Sequence, residues 1–409
     1  MNRMFVATVG KGDLGDIREA LVKSIHEANP SLLLLFATEQ TRENAQDICK
    51  MLNRDEKNSE VHILRSPGED IEALFKEMAD KLAGAMREYG ISPSEVTADF
   101  TSGLKTMSAA LVMAAVKLGL GRLKYINAKR DATGRICPGQ ERTVTLEPAG
   151  LKASFALDSA VSLMRQYRFD AVRQLLEPLR ETLLNATEQA NRACLLHLAD
   201  AYSRWDLFQH IQFKDAYDKA SFAHTTGLEE FRATPATVSA VMEVGQKSKD
   251  GKTCDLVAVD LINNARRRME EGRFDDSVAR LYRACELLAQ VRLASRQINT
   301  DDVDVSKLPE KTRRCLELYR NKEGKIQIGL RNSYKLLKEL NDELGMDFDT
   351  DKELKSILKT RNYSILAHGT IPVSQKTAQG LLVRIEALAK RYIPDYDSKS
   401  DLLRFPWSR

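Results

Sequence analysis

The feature that most restricts how this chain can fold is a change of periodicity near Gly150. Before it, short runs of large apolar and β-branched residues alternate with helical patterns. The runs are Met4–Val9, Leu32–Ala37, Val61–Leu64, Val96–Asp99 and Leu123–Ile126. Continuous apolar runs of that length, separated by helices, are the pattern of a parallel sheet covered on both faces. Val144–Leu146 reads as one more strand, set off by Pro138-Gly139 and closed by Pro148-Ala149-Gly150. After Gly150 strand-like runs almost vanish and helical spacing takes over, so the rest of the chain is expected to be all-α. The polar stretch Gly245–Lys252 reads as a linker. The expected organisation is therefore an α/β domain over 1–150, a helical connecting region over 151–252 and a helical C-terminal domain over 253–409. A short echo, Tyr167-Arg168-Phe169-Asp170 against Gly272-Arg273-Phe274-Asp275, precedes two helical patterns and reads as coincidence.

Composition excludes several classes. With 409 residues there is length for more than one core, and 43% hydrophobic with 29% charged residues is a globular balance. The longest apolar runs, Leu32–Ala37 and Ala109–Val116, are far shorter than the ~20 residues that span a bilayer, so no membrane partner is expected. The N-terminal residues run from a short strand into a glycine turn without a signal-peptide pattern. The six cysteines form no close pairs, so neither a zinc knuckle nor a redox pair is readable, and a reduced, cytoplasmic protein is expected. Formal net charge is only +4, so a nucleic-acid partner must be argued from local charge.

Two loops of the α/β region carry that local signal. Gly10-Lys11-Gly12-Asp13-Leu14-Gly15 follows the first strand and opens a helix, where glycines let backbone N–H groups approach a phosphate. Glu39, past the second strand, would suit the acidic ribose ligand of a dinucleotide fold, which keeps a nicotinamide-dependent oxidoreductase open as a rival; a tight turn without ligand is the plainer alternative. The second loop, Asp99-Phe100-Thr101-Ser102-Gly103-Leu104-Lys105-Thr106-Met107, places hydroxyls, a glycine and a lysine at the start of a helix, where the dipole favours anions. Both loops follow strands, so they are expected at one edge of the sheet. From Gly103 to Arg142 there are eight Lys and Arg against two Asp and Glu, an excess of +6.

The pattern Asp-x-Thr-x-Gly-x-Lys-x-Met after the fourth strand, with Gly-Lys-Gly after the first, resembles the CARF domain of CRISPR-associated proteins. That resemblance covers about the first 150 residues and implies a Rossmann-like fold. It also implies cyclic oligoadenylate, tetra- or hexa-adenylate, as an activating ligand bound across a homodimer. The residues it points to are Thr8, Gly10, Lys11, Gly12, Thr101, Ser102, Gly103, Lys105, Thr106 and Met107, with Thr38, Glu39 and Pro67–Asp70 as weaker candidates or simple turns.

In the C-terminal part, Thr350-Asp351-Lys352-Glu353 reads as a capping box and Gly369 as a stop, bracketing a helix over about 351–368. Positions 354, 358, 361, 365 and 368 share one face, which puts Arg361 and His368 on the apolar stripe marked by Leu354, Leu358 and Ile365. A capping histidine and an edge salt bridge would explain them separately. Asp275-Asp276-Ser277 is expected to cap an earlier helix with Val278, Leu281, Tyr282, Cys285 and Leu288 on its core face and Glu286 on the flank, where a solvated carboxylate is the plain reading.

The segment Arg361-Asn362-Tyr363-Ser364-Ile365-Leu366-Ala367-His368 resembles the Arg-x(4-6)-His motif of HEPN ribonucleases, which recur behind CARF domains in type III CRISPR defence. The resemblance implies a homodimeric, metal-independent endoribonuclease acting on single-stranded RNA without a cofactor. Arg361, His368, Asn362 and Glu286 are its catalytic candidates. A sensor with a degenerate HEPN site and a ring nuclease that degrades its own activator remain alternatives.

Overall fold

A computed structural model describes residues 3–11, 16–65, 68, 70–130, 136–251, 253–360, 366 and 369–408. The chain divides into two compact units, one of residues 1–158 with 179–185, the other of 159–178 with 186–409.

The first unit is a six-stranded sheet. Strands β1 (Met4–Thr8), β2 (Leu32–Ala37), β3 (Ser59–Ile63), β4 (Val96–Asp99), β5 (Arg122–Arg130) and β6 (Ile136–Leu146) lie in the order β3-β2-β1-β4-β5-β6. All neighbours are parallel except β5 and β6. Helices α1 (Asp16–Ala28), α2 (Arg42–Met51), α3 (Ile71–Tyr89) and α4 (Lys105–Leu118) connect the strands, and α5 (Pro148–Arg165) follows them. The fold is Rossmann-like, as the alternation of runs predicts.

Alternation along β1 and β2 explains why both strands read as unbroken apolar runs. Met4, Val6, Leu32, Leu34 and Phe36 join α3 and α4 in one core. Phe5, Ala7, Leu33, Leu35 and Ala37 face the opposite core with residues of α1 and α2. Every side chain of these two central strands is therefore buried on one face or the other. Asp70 caps α3 by accepting from the N–H groups of Glu72 and Ala73, and the left-handed Gly90 ends it.

The β5–β6 hairpin is longer than the expected Leu123–Ile126 and Val144–Leu146. Apolar pattern marks only the part of a strand that faces a core, whereas the ladder from Leu123↔Leu146 to Ala128↔Glu141 is made by backbone groups of any residue.

The second unit is helical. Its elements are α6 (Phe169–Leu176), α7 (Ala186–Asp206), α8 (His210–Tyr217), α9 (Pro235–Lys249), α10 (Asp255–Glu270) and α11 (Phe274–Ala294), then α12 (Glu310–Glu317), α13 (Leu330–Glu339), α14 (Glu343–Thr350), α15 (Lys352–Thr360), α16 (Gln375–Tyr392) and α17 (Tyr396–Leu402). The echo between residues 167–170 and 272–275 has a structural cause. Tyr167, Phe208 and Gly272 all have left-handed φ, of 60°, 61° and 73°. In each case the next residue's N–H reaches back five positions, Arg168 to Leu163 at 3.0 Å, Gln209 to Arg204 at 2.8 Å and Arg273 to Arg268 at 2.8 Å. These are Schellman turns that pass directly into another helix, α5 to α6, α7 to α8 and α10 to α11. Asn341, with φ 54° and the Asp342 N–H on Leu337 at 2.9 Å, turns α13 into α14 the same way, so the sequence echo caught two of these four turns.

Gly245–Lys252 is not a linker through most of its length, because α9 continues to Lys249. A side chain at Gly245 would stand 2.9 Å from the Cβ of His210, so this glycine permits a close helix crossing. Helices from the expected connecting region and C-terminal domain then share one polar core. Asp260 on α10 accepts from Trp205 Nε1 at 3.1 Å and pairs with His210 Nε2 at 2.7 Å. Asp206 pairs with Arg267 and Arg268 at 2.9 and 2.6 Å. Removing one partner of such a buried pair leaves an uncompensated charge, so these contacts specify which helices pack together more than they add net stability.

Two caps differ from expectation by a register step. Asp351, not Thr350, caps α15 by accepting from Leu354 N–H at 2.8 Å, while Thr350 ends α14 and Glu353 pairs with Arg384. At α11 the cap residue is Arg273, with Asp275 and Asp276 already in the first turn, where their charge favours the helix N-terminus. Asp276 is held by Arg273 and Arg280, and Asp275 accepts from Val373 N–H at 3.2 Å.

Candidate functional site

Strand order reverses between β1 and β4, and the loops that leave these strands meet at that point. The Gly10 N–H donates to Ser102 Oγ at 2.9 Å, and the Thr8 hydroxyl donates to the Ser102 carbonyl. Asn44, on α2, donates to the Gly10 carbonyl at 3.2 Å. The approach is too close for side chains. A Cβ on Gly10 would lie 2.7 Å from Gly103 N, and one on Gly103, whose φ is +101°, would lie 3.0 Å from Thr8 Cβ.

Asp99 organises the second loop from beneath. It is fully buried, and its Oδ1 accepts from both the N–H and the hydroxyl of Thr101 while Oδ2 accepts from Ser24 at 2.9 Å. The Thr101 hydroxyl in turn accepts from Ile126 N–H at 2.9 Å. The hydroxyls of Thr8, Thr101 and Ser102 thus clamp the loops to each other and to the sheet.

The clamped loops wall a cavity of about 470 Å³ at the C-terminal ends of the strands. Of the expected contacts, Gly10, Lys11, Thr38, Gly103 and Met107 line it, with Met107 fully buried as apolar floor. Thr38 and Thr41 form a reciprocal cap along one wall. Lys105 stands exposed at the first position of α4, outside that lining, and Thr106 follows it. The N-cap residue of α4 is Leu104, whose side chain has no acceptor to offer the first-turn N–H groups. Gly12, Pro67 and Glu69 lie outside the described residues; Gly68 lines the cavity and Asp70 is the α3 cap.

Sequence reasoning passed over Arg65, Gln40 and Leu64, which also line the cavity. Arg65 lies two residues past the end of β3, just before the Pro67–Asp70 candidates, so extending those candidates back toward the strand would have found it. Glu39 is in the lining too, but Arg42 holds its carboxylate through two hydrogen bonds of 3.0 and 2.6 Å and lowers its pKa. A carboxylate so engaged is poorly placed to serve as a ribose ligand.

In the helical unit, Arg361, Asn362 and His368 lie outside the described residues. The helix that leads to them, α15, buries Leu354 and Leu358, and Leu366 stands in a turn beyond it. On α11 Val278, Leu281, Cys285 and Leu288 are buried as expected, whereas Tyr282, expected on the same face, is only partly buried and lines a cavity of the helical unit. Burial pushes the Cys285 thiol up to about 12. Glu286 is on the flank, one-fifth exposed, and pairs with Arg283 at 2.6 Å. Among the described residues no three His, Cys, Asp or Glu side chains come together. No helix described is long and apolar enough to cross a membrane.

Comparisons with known proteins address both units. Residues 246–391 match the family model of the Csm6 HEPN domain. Among solved structures, Enterococcus italicus Csm6 bound to cyclic hexa-2'-fluoro-hexa-dAMP is similar over 100% of both chains, with a TM-score of 0.59 and 13% identity. At that identity the likeness establishes the fold. No curated protein matches the chain.

Proposed function

Taking the chain as a CARF protein of the type III CRISPR kind with a C-terminal HEPN domain, we propose that it is an endoribonuclease switched on by cyclic oligoadenylate. What carries the reading is one combination: a glycine-walled cavity at the switch point of a Rossmann-like sheet, in the same chain as a match to the Csm6 HEPN domain. The start of α4, with the apolar Leu104 as its N-cap, and the cations Lys11, Arg65 and Lys105 suit phosphate groups. The narrow approach of Gly10 to Gly103 suits a ligand recognised partly by backbone. The solved relative is bound to a cyclic hexanucleotide analogue, which favours that ligand class here. A ring of identical nucleotides presents equivalent faces to two subunits, so the active protein is a twofold homodimer.

Cleavage needs no metal in this scheme. The RNA 2'-hydroxyl gives up its proton and attacks its own 3'-phosphorus, the P–O5' bond breaks, and the leaving 5'-oxygen takes a proton to depart as a hydroxyl. His368 of the two subunits serves these proton transfers, and the Arg361 guanidinium holds the charge that develops on the phosphate oxygens. Asn362 and Glu286 act as orienting groups, and the dimer supplies the second Arg–His set.

RNA cleavage measured in EDTA, with and without each cyclic oligoadenylate, tests this reading. Cleavage is expected only with ligand, and its products are expected to end in 2',3'-cyclic phosphate. His368→Ala and Arg361→Ala should each abolish it, and the double variant should add little, because members of one catalytic unit are non-additive. A folded His368→Ala protein that cuts at the wild-type rate would remove the site assignment.

A further inference from the structure

We propose that a basic cleft in the helical unit, built by α13 and α15, holds the phosphate backbone of single-stranded RNA. The inference deepens the ribonuclease reading and rests on it. The cleft is a cavity of about 860 Å³ between α11, α13, α14 and α15, within the ~300–1,000 Å³ range of ligand sites. Its rims carry Arg331, Lys335 and Lys338 from α13 and Lys352, Lys355 and Lys359 from α15, against two acids, Glu339 and Asp349.

The acids account for half of the cations. Asp349 is shared by Lys338 at 2.6 Å and Lys355 at 3.2 Å, and Lys335 lies 4.0 Å from Glu339. Arg331, Lys352 and Lys359 are exposed and form no ion pair with any described residue. Spacing sharpens the point. Arg331 with Lys335, and Lys355 with Lys359, are like charges four residues apart on one helix, an unfavourable placement in which an acid offsets only one member of each pair. Two helices therefore bring rows of cations, half of them without an acidic partner among the described residues, to the rims of a single cavity.

The rows are elongated. Seven helical residues separate Lys352 from Lys359 and Arg331 from Lys338, about 10 Å along each axis, which is too long for one phosphate and suits a chain of them. Beneath them the stacked rings of Tyr334 and Phe348, 3.8 Å apart, form an apolar floor. Lys359 precedes Arg361 by two residues, so a strand lying along α15 leads toward the proposed cut site. The contacts would be made to phosphates, so the cleft would raise affinity for RNA without selecting its sequence.

The test uses the full chain and a fluorescent single-stranded RNA with 2'-methoxy sugars, which lacks the attacking hydroxyl, so that binding is read without cleavage. The Arg331→Ala/Lys352→Ala/Lys359→Ala variant should bind more weakly. The slope of log affinity against log salt should become shallower by about 2, three contacts at ~0.7 each. All three positions are exposed, and Lys352→Glu/Lys359→Glu provides a second variant confined to α15. Wild-type affinity and slope in both variants would overturn the inference, and would be the outcome if an acidic protein segment rather than RNA occupied the cleft. The ribonuclease reading is judged separately: cleft-dependent binding without activated cleavage would remove that reading alone, and unchanged binding with intact cleavage would remove this inference alone.

Discussion

At the sheet edge, Gly10 and Gly103 approach so closely that a methyl group on either would collide with backbone or with Thr8, and hydroxyls lock the loops in that approach. In the helical unit the character of the cleft between α13 and α15 comes from long cationic side chains on its rims. The first cavity is shaped by closely packed backbone, the second by charges, half of them paired to acids, whose interactions are screened by salt. Substitutions in the first should therefore act through sterics and folding, and in the second through ionic strength.

The largest effect is expected where the loops touch. Gly103→Ala places a Cβ 3.0 Å from Thr8 on a left-handed backbone, and should cost about 2–4 kcal/mol of unfolding free energy, read by denaturant titration. An unchanged midpoint would mean that the loops part readily, and the contrast between the two cavities would collapse.

Lys105→Ala comes next. It leaves the loop geometry alone and removes one exposed cation at the start of α4. Binding of cyclic oligoadenylate should weaken by about 1.5–3 kcal/mol, the range of a charge-assisted hydrogen bond. Calorimetry of the wild type should give one ring per two chains. Tight NAD(H) binding with no cyclic oligoadenylate binding would restore the oxidoreductase rival.

Asp349→Asn should have the smallest effect and the opposite sign. Lys338, and then Lys355, hold the Asp349 carboxyl below its usual range, so it remains an anion as pH falls toward that lowered value. Its contribution is present above the unfolded carboxylate pKa and is lost only as pH drops through the folded one. Between pH 5 and 8, roughly, the substitution should free Lys338 without pH dependence while Lys355 keeps its bond to the residue's backbone carbonyl, so RNA binding should tighten and its salt slope steepen by less than about one unit. Weaker binding in Asp349→Asn would show that the acid orders the cleft rather than opposing its charge.

The α/β unit was largely legible because its signals are local. Burial on both faces leaves an unbroken apolar run in β1 and β2, and glycines mark places where a side chain will not fit. The crevice followed from a general rule about strand ends, and Arg65 was missed because the candidates after β3 began two residues later, at Pro67. Less was legible after Gly150, where helical periodicity says that a face is buried and not against what. Gly245 looked like a linker residue because nothing nearby in sequence announces His210 as its neighbour. The capping residue of α15 was misplaced by one because Thr350 and Asp351 are both competent caps, and the end of α14 decides between them.

By itself the sequence determined the class change at Gly150, the parallel sheet, the loop chemistry after β1 and β4, and the apolar stripe of α15, all carried by spacing within a few tens of residues. Only the tertiary structure decided which hydroxyls were spent. Thr8, Thr101 and Ser102 look like ligand groups in the sequence, yet their partners are Ser102, Asp99, Ile126 and Gly10, brought near by strand order. The same holds for the cations of the helical unit. Lys338 and Lys355 meet Asp349 while Arg331, Lys352 and Lys359 do not, and that division depends on how α13, α14 and α15 pack. A residue's type limits the bonds it can make, and the fold selects which of them it makes, because each donor, acceptor and charge is satisfied by whatever packing brings within about 3 Å.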